Sequence, residues 1–273
     1  MLKFALRNLM SRPARSLLSL LGLTVAIVAM VGLFSVAEGL DVMVTKTFGR
    51  ISGLIAMQPG APIPLFSRIP ASWEDEIAAV EGVSVVNAEI WQRANVIDGK
   101  TIFSPPRFLF GTDIETRIQL QHAVYRNDIE QGRFLTLEDR GTPNAVISRQ
   151  IAEEFHKEIG DTLQVNGYDL TIVGIYHCGS LLLDVAIILD LEQVRTISRF
   201  DPESVSGFYI EQQGGVDDQV LIKRIQTVFL NRNIERWSPS FFGSGEGGIS
   251  EDGSNLISLI TRGLKTLLRG NEE

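Results

Sequence analysis

The sequence predicts an α+β protein in which one N-terminal transmembrane helix, extended as a stalk, carries an α/β subdomain with a β-rich subdomain inserted into it. Three observations predict it. Twenty-two uncharged residues, Ser16 to Ala37, follow a basic leader. A β-α-β pattern over residues 51–97 has a strand-helix-strand counterpart over 207–237, and between the two, short strands alternate with turn signals. With 273 residues, 44% hydrophobic and 21% charged, the chain has the make-up of a folded protein rather than a disordered one.

The leader comes first. Leu2, Ala5, Leu6 and Leu9 recur at helical spacing while Lys3 and Arg7 share another face, so residues 1–12 read as a short amphipathic helix on a membrane surface. Pro13 permits a new helix to start. As a helix, Ser16–Ala37 extends about 33 Å and matches a hydrocarbon core of roughly 30 Å. A secretory signal has an apolar region of roughly 7–15 residues, shorter than this one, although Ser35-Val36-Ala37 would serve as a cleavage site; a secreted protein cut after Ala37 is the alternative. A soluble core helix is disfavoured, because an apolar helix of this length at a chain end needs a large enclosing core. Lys3, Arg7, Arg12 and Arg15 lead while Glu38 and Asp41 trail, which places the N-terminus in the cytoplasm and the rest outside. Ser19, Gly22, Ala26 and Ala29 fall on one face, either a packing face for another helix or the small residues common in membrane helices. The helix is expected to continue to Phe48, with Gly49 as its stop.

Beyond it, residues 52–60 read as a strand closed by Pro59 and Gly60, and residues 61–70 as an irregular connection. A helix starts at Ser72 with Trp73, Ile77 and Val80 on one side, followed by a strand from Val83 to Ile97. The counterpart is a strand Gly207–Glu211, a helix Val216–Leu230 and a strand Ile234–Trp237. Between them Asp98-Gly99 and Asn166-Gly167 mark hairpins, and "NAVIS", "DTLQVNGYDLTIVGIY" and "DVAIILD" read as strands. "SRQIAEEFHKEIG" reads as a helix with Ile151, Phe155 and Ile159 inward. The run around Asp184 is long enough for a second span, but an acid at a helix centre costs roughly 2.5–3.5 kcal/mol on insertion, so it reads as two strands around a loop. Residues 241–273 are a Gly/Ser-rich linker and a short basic amphipathic helix with Leu256, Ile260, Leu264 and Leu267 on one face. The segments are therefore 1–12, 13–48, 49–97 with 205–240, 98–204, and 241–273.

Several motifs invite a chemical reading. "ANVIDGKT" ends like a P-loop, but Val96 and Ile97 fill the place of glycines and prolines 105 and 106 follow instead of a helix, so a hairpin explains it. Gly243, Gly245 and Gly248 spell a dinucleotide fingerprint without the helix that would hold the phosphates, and read as linker. His177 and Cys178 are adjacent, so on a strand they face opposite ways; a buried thiol beside a partly exposed imidazole is favoured over a metal site. Glu138-Asp139 and Glu153-Glu154 are expected on solvated faces. No catalytic constellation is found, and no cofactor, metal or enzyme activity is predicted. The net charge of −8, which becomes −12 beyond residue 15, is ill-suited to nucleic acid. Cys178 is the single cysteine, so no internal disulfide forms and the redox compartment is not legible.

Residues 6–40, "LRNLMSRPARSLLSLLGLTVAIVAMVGLFSVAEGL", resemble the membrane segment that opens MacB/FtsX-type ABC transporter permeases, in which a basic foot leads into a Leu-Gly helix ending in Gly-Leu. "LFGTD", "IEQGRFLTLED", "NAVISRQIAEEF", "IGDTLQVNGYDLTIVGIY" and "VAIILDLEQVRTI" then occur in the order expected of the MacB-like periplasmic core domain. The resemblance runs from Leu2 to Trp237. It implies a porter-like α/β part with an inserted β-rich part, and a permease component that passes conformational change mechanically from a separate cytoplasmic ABC ATPase to the exterior domain. Lys3, Arg7, Arg12 and Arg15 would then form the cytoplasmic foot, and other permease helices or a second permease subunit, as a dimer, would be partners in a bacterial inner membrane. Such permeases normally carry three further membrane helices, which this sequence lacks, so a truncated or split permease is expected. A single-span extracytoplasmic binding or scaffold protein, independent of any ATPase, is the alternative.

Overall fold

The computed structural model describes residues 13–48, 53–180, 182–229, 232 and 234–238. Helix α1 spans Pro13–Phe48, with proline in the first turn where its missing N–H costs nothing. Its 36 residues extend about 54 Å. Leu17–Gly39 is the apolar part, with a mean hydropathy of 2.5, and its side chains are exposed all round, including Leu18 at 76% and Leu33 at 72%. Such a surface suits lipid rather than water. The Thr24 hydroxyl donates to the Leu20 carbonyl at 2.8 Å, so the helix's own backbone satisfies its polar group.

Residues from Gly53 onward form a separate unit. Its elements are β1 (Leu54–Ala56), β2 (Ile69–Pro70), α2 (Trp73–Ala78), β3 (Val83–Ala94), β4 (Val96–Ile97), β5 (Lys100–Thr101), β6 (Arg107–Thr112), α3 (Ile114–Arg117), β7 (Ile129–Gly132), β8 (Asn144–Ser148), α4 (Arg149–Phe155), β9 (Thr162–Val165), β10 (Tyr168–Tyr176), β11 (Ala186–Asp190), α5 (Leu191–Ser198), β12 (Ser204–Val205), β13 (Gly207–Gln212) and α6 (Asp218–Phe229). Among the described residues, eleven strands share one sheet in the order β1-β13-β3-β6-β11-β8-β10-β9-β4-β5, with β7 also on β10. Both regions that the sequence separates, 49–97 with 205–240 and 98–204, contribute strands to it.

β3 ties the sheet together. Its first half, Val83 to Glu89, pairs antiparallel with β13, and its second half, Glu89 to Ala94, pairs antiparallel with β6. Glu89 is opposite Gly207 on one side and Thr112 on the other, so the neighbours change at this residue. The long strand expected from Val83 to Ile97 breaks at Asn95. Beyond the break Ile97 pairs with Val165 of β9, so the sheet curls back toward its own path. The Asn166 side chain holds the break, its Oδ1 accepting from the Asn95 and Val96 amides at 2.9 and 3.1 Å. The two hairpins form as expected, with φ of +46° and +75° at Asp98-Gly99 and +51° and +89° at Asn166-Gly167.

The main core lies on the face of β3 carrying Ala88 and Ile90, covered by α2, α5 and α6 through Ile77, Val194, Leu221 and Ile225. α5 approaches so closely that a Cβ on Gly111 of β6 would stand 2.8 Å from Val194 Cβ, so glycine is required there. The sequence reading has no helix at Leu191–Ser198, because "LEQVRTIS" follows a strand without a break and its N-cap is also the strand's last residue, Asp190.

Two expectations are corrected. α4 stops at Phe155 because His156 adopts a left-handed conformation, φ +52°, that ends the helix, and Ile159 is 42% exposed rather than inward. Residues 234–238 are not a strand; they are held by single bonds, Trp237 N–H to Pro59 O at 2.9 Å and Gln58 Nε2 to Glu235 O at 3.1 Å.

In the first turn of α2, burial, with Asp113 and Asp75 nearby, pushes the Glu74 carboxyl up from its ordinary 4.5 to about 7. The folded state therefore keeps a proton that the unfolded chain releases, and stability falls as pH rises from about 4.5 to about 7. Glu74→Gln is expected to stabilise the protein by about 1 kcal/mol at pH 8, discounted for the side chain's partial exposure, and by much less at pH 5. Urea unfolding at the two pH values checks this.

Candidate functional site

The point where β3 changes partners is also where the domain buries its charges. Alternation along the strand puts Asn87, Glu89 and Trp91 on the face opposite the main core. Three polar residues in a row on a buried face need a polar cover, and residues 113–128 supply it as a strap across the sheet. Arg117 Nη1 donates to Glu89 Oε1 at 3.1 Å and its Nη2 to the Val124 carbonyl at 2.9 Å; the two side chains are 4% and 6% exposed. Trp91 Nε1 donates to the other Glu89 oxygen at 3.1 Å. The guanidinium also stands 5.3 Å from the ring centre of Phe110 and 5.9 Å from those of Tyr125 and Tyr209, within cation–π range. Burial pushes the Glu89 carboxyl above its ordinary range, opposed by Arg117 and Trp91.

Asn87 completes this part. Its amide donates to Asp113 O at 2.8 Å and Thr116 Oγ1 at 2.7 Å, and its Oδ1 accepts from Thr112 Oγ1 at 2.7 Å. Asp113 caps α3 by accepting from Thr116 N–H at 2.9 Å. Farther along the strap, Glu211 of β13 accepts from the Gln121 and His122 amides at 2.8 and 2.9 Å, with His122 Nδ1 at 3.0 Å. Burial raises the Glu211 carboxyl, but the donors outweigh it and hold it below the ordinary value. Beside this clamp is a depression lined by Gln121, His122, Glu211, Gln213, Gly215 and Val216. The strap is thus pinned to β3 and β13 by side chains of opposite or complementary polarity, and its acids and base satisfy one another rather than facing a substrate.

None of these residues was marked by sequence reasoning, since nothing local joins Glu89 to Arg117. A signal was present: Glu89 lies among Val86, Ala88, Ile90 and Trp91, where a buried acid requires a cation.

Of the sequence-predicted residues, Lys3, Arg7 and Arg12 lie outside the described residues, and Arg15 is in the first turn of α1. Ser19, Gly22, Ala26 and Ala29 share one exposed face of α1. Gly243, Gly245, Gly248 and the helix expected at 256–269 lie outside the described residues. The Gly99-Lys100-Thr101 motif is part of the β4–β5 hairpin, without a following helix. His177 and Cys178 follow the end of β10 at Tyr176 in a loop, with the thiol buried and the imidazole partly exposed as expected; buried Asp184 organises that loop, accepting from Cys178 N–H at 2.7 Å and Ser180 N–H at 3.2 Å and standing 2.9 Å from His177 Nδ1.

Of the acids expected on solvated faces, Glu138, Glu153 and Glu154 are exposed, and Asp139 alone is corrected. Asp139 is 2% exposed and accepts from Arg133 Nη1 and Nη2 at 2.5 and 2.9 Å, Asn144 Nδ2 at 2.6 Å and Thr136 N–H at 2.7 Å. Glu154 pairs at 2.7 Å with Arg107, itself 4% exposed.

Comparison with known proteins adds what geometry alone does not supply. The family model of the MacB-like periplasmic core domain matches residues 16–228. Among solved structures, the periplasmic region of MacB from Actinobacillus actinomycetemcomitans is similar, at 12% identity over 66% of this chain and 83% of that one, with a TM-score of 0.51. The extracellular domain of the noncanonic ABC-type transporter YknZ from Gram-positive bacteria matches at 15% identity over 65% of this chain and 92% of that one, with a TM-score of 0.49. A search of curated proteins finds no match.

Proposed function

The chain belongs to the family of the MacB-like periplasmic core domain, and on that premise we propose that it is the permease component of a MacB/FtsX-like ABC system, coupling a separate cytoplasmic ATPase mechanically to its exterior domain. The family is a domain of transporters, not an enzyme class. An apolar N-terminal helix with such a domain after it fits a membrane-anchored protein with an extracytoplasmic domain. The observation that carries the reading is that the family match begins inside α1, at residue 16, and runs to residue 228 in α6, so helix and sheet domain belong to one recognised arrangement.

The details follow from charge and sequence order. The basic residues Lys3, Arg7, Arg12 and Arg15 precede the apolar stretch and orient α1 with its N-terminus in the cytoplasm of a bacterial inner membrane, where they meet the ATPase. Ser19, Gly22, Ala26 and Ala29 form the face on which another permease helix, or a second subunit in a dimer, packs. α1 beyond Gly39 serves as a stalk. The exterior domain divides into a porter-like part, 49–97 with 205–240, and an inserted β-rich part, 98–204, and β3 with its strap is the shared member that makes them move together. The work is mechanical: the domain squeezes or releases a substrate or partner without covalent chemistry.

Affinity purification of the full chain from native membranes in mild detergent tests this. An ATP-hydrolysing subunit is expected to co-purify and to be lost when Arg7 and Arg12 are both replaced by glutamate. A chain that is correctly inserted yet purifies with no ATPase would support the anchored scaffold instead.

A further inference from the structure

Tyr209 lies between the place where the chain joins the sheet domain and the underside of the strap. Its ring forms a small buried cluster with Leu120 and Ala123 of the strap, against which Ile55 and Val85 pack. Only 5% of the residue is exposed. On the other side is Gly53, directly before β1: a Cβ there would stand 2.5 Å from Tyr209 Cζ, 2.7 Å from its hydroxyl and 2.8 Å from the Ile210 carbonyl oxygen. Contact that close admits only glycine without a shift. The hydroxyl is buried beside the Gly53 backbone, so ring and hydroxyl both press on this turn.

Everything around the ring is either fixed or pinned. Ile210 is on the sheet, in register with Leu54 and Val86. The strap is pinned before the ring's contacts, at Glu89 through Arg117, and between them, at Glu211 through the Gln121 and His122 amides. A close-packed interior passes on displacement instead of absorbing it, and the part of this environment held only by side-chain and amide bonds is the strap.

We propose that Tyr209 is a mechanical relay, through which displacement of the chain at Gly53 lifts the strap at Gln121 and His122 away from Glu211 and reshapes the depression beside residues 212–216. The relay rests on the permease reading for its purpose, since α1 is what would displace Gly53. The contact itself is a property of this chain alone, so it is tested without any ATPase.

Amide hydrogen exchange on the full chain in lipid nanodiscs gives the test. Gly53→Ala forces the ring to move, and the Gln121 and His122 amides are expected to exchange about tenfold faster while the β8 and β10 amides keep their protection. In a Tyr209→Ala background the same substitution is expected to change nothing further, because the member that transmits the shift is gone. Equal acceleration in both backgrounds, or none in either, overturns the relay. If Gly53→Ala loses protection in β8 as well, the decision passes to Tyr209. Tyr209→Phe, which keeps the ring, should leave strap exchange within about twofold of the parent, and Tyr209→Ala should raise it about tenfold with β8 intact; a strap indifferent to Tyr209→Ala contradicts the relay. Failure here would leave the permease reading standing, and a chain that recruits no ATPase would leave the relay standing.

Discussion

Arg117→Ala is expected to destabilise the sheet domain by about 3–5 kcal/mol, one of the two largest effects of single side-chain changes anticipated here. The magnitude comes from what is left behind. Arg117 is the only cation bonded to Glu89 among the described residues, and without it the carboxylate keeps a single donor, Trp91 Nε1, in a site that water scarcely reaches. Val124 O loses its donor as well, and the rings of Phe110, Tyr125 and Tyr209 close on a void. The loss has a pH signature. Burial already raises Glu89, and removal of the guanidinium raises it further, so the folded variant binds a proton that the unfolded chain has released. Parent and variant lose stability together just above the unfolded value, and the gap between them opens as pH passes the parent's own raised value, so the defect is smaller at pH 5 than at pH 8. The double variant Glu89→Leu/Arg117→Met removes both charges and should recover to within about 1 kcal/mol of the parent. Urea unfolding followed by tryptophan fluorescence measures all three; a loss below about 1 kcal/mol for Arg117→Ala would show that the cluster does not clamp the strap.

Asp139→Asn should cost about 2–4 kcal/mol for a different reason. The carboxylate is surrounded by donors only: both Arg133 nitrogens, the Asn144 amide, and the N–H and hydroxyl of Thr136. An asparagine would turn its own N–H2 toward at least one of them. The Arg133 guanidinium holds the Asp139 carboxyl well below the usual range, outweighing the opposing effect of burial. A depressed carboxylate contributes its full stability above the unfolded value of 3.8 and loses it as pH falls from there toward the folded one. The gap between parent and variant should thus be constant from pH 6 to 8 and shrink below about pH 4. A gap that does not change with acid would mean that the charge is not what these donors recognise.

How far the sequence reaches depends on the range of the forces concerned. The two hairpins are legible because Asp98-Gly99 and Asn166-Gly167 carry a conformational requirement within two residues. α1 is legible because an apolar stretch of that length has a single good solvent. The break at Asn95 is not, because Asn166, seventy-one positions away, supplies its hydrogen bonds. The same holds for the strap: residues 113–128 have neither helical nor strand periodicity, and their shape follows from Asn87, Glu89 and Glu211 on strands brought together only by folding. Asp139 is illegible for the related reason that an acid next to Glu138 in a turn resembles a solvated one until Arg133 and Asn144 close over it. Residues 234–238 have the composition of a strand, yet their backbone bonds go to the Gln58–Pro59 turn and their side chains to Phe66 and the core, and they build no ladder among the described residues.

On the permease function proposed above, the ATPase moves the exterior domain as a mechanical element. The direct measurement is the distance between nitroxides at Glu158→Cys on two copies of the chain, in the complex purified from membranes, with ATP, with ADP and without nucleotide. Glu158 is exposed and the native Cys178 is buried, so the label reports the chosen site. A distance distribution that shifts on ATP binding and returns after hydrolysis is the predicted result; a complex that turns over ATP while the distribution stays unchanged contradicts the account.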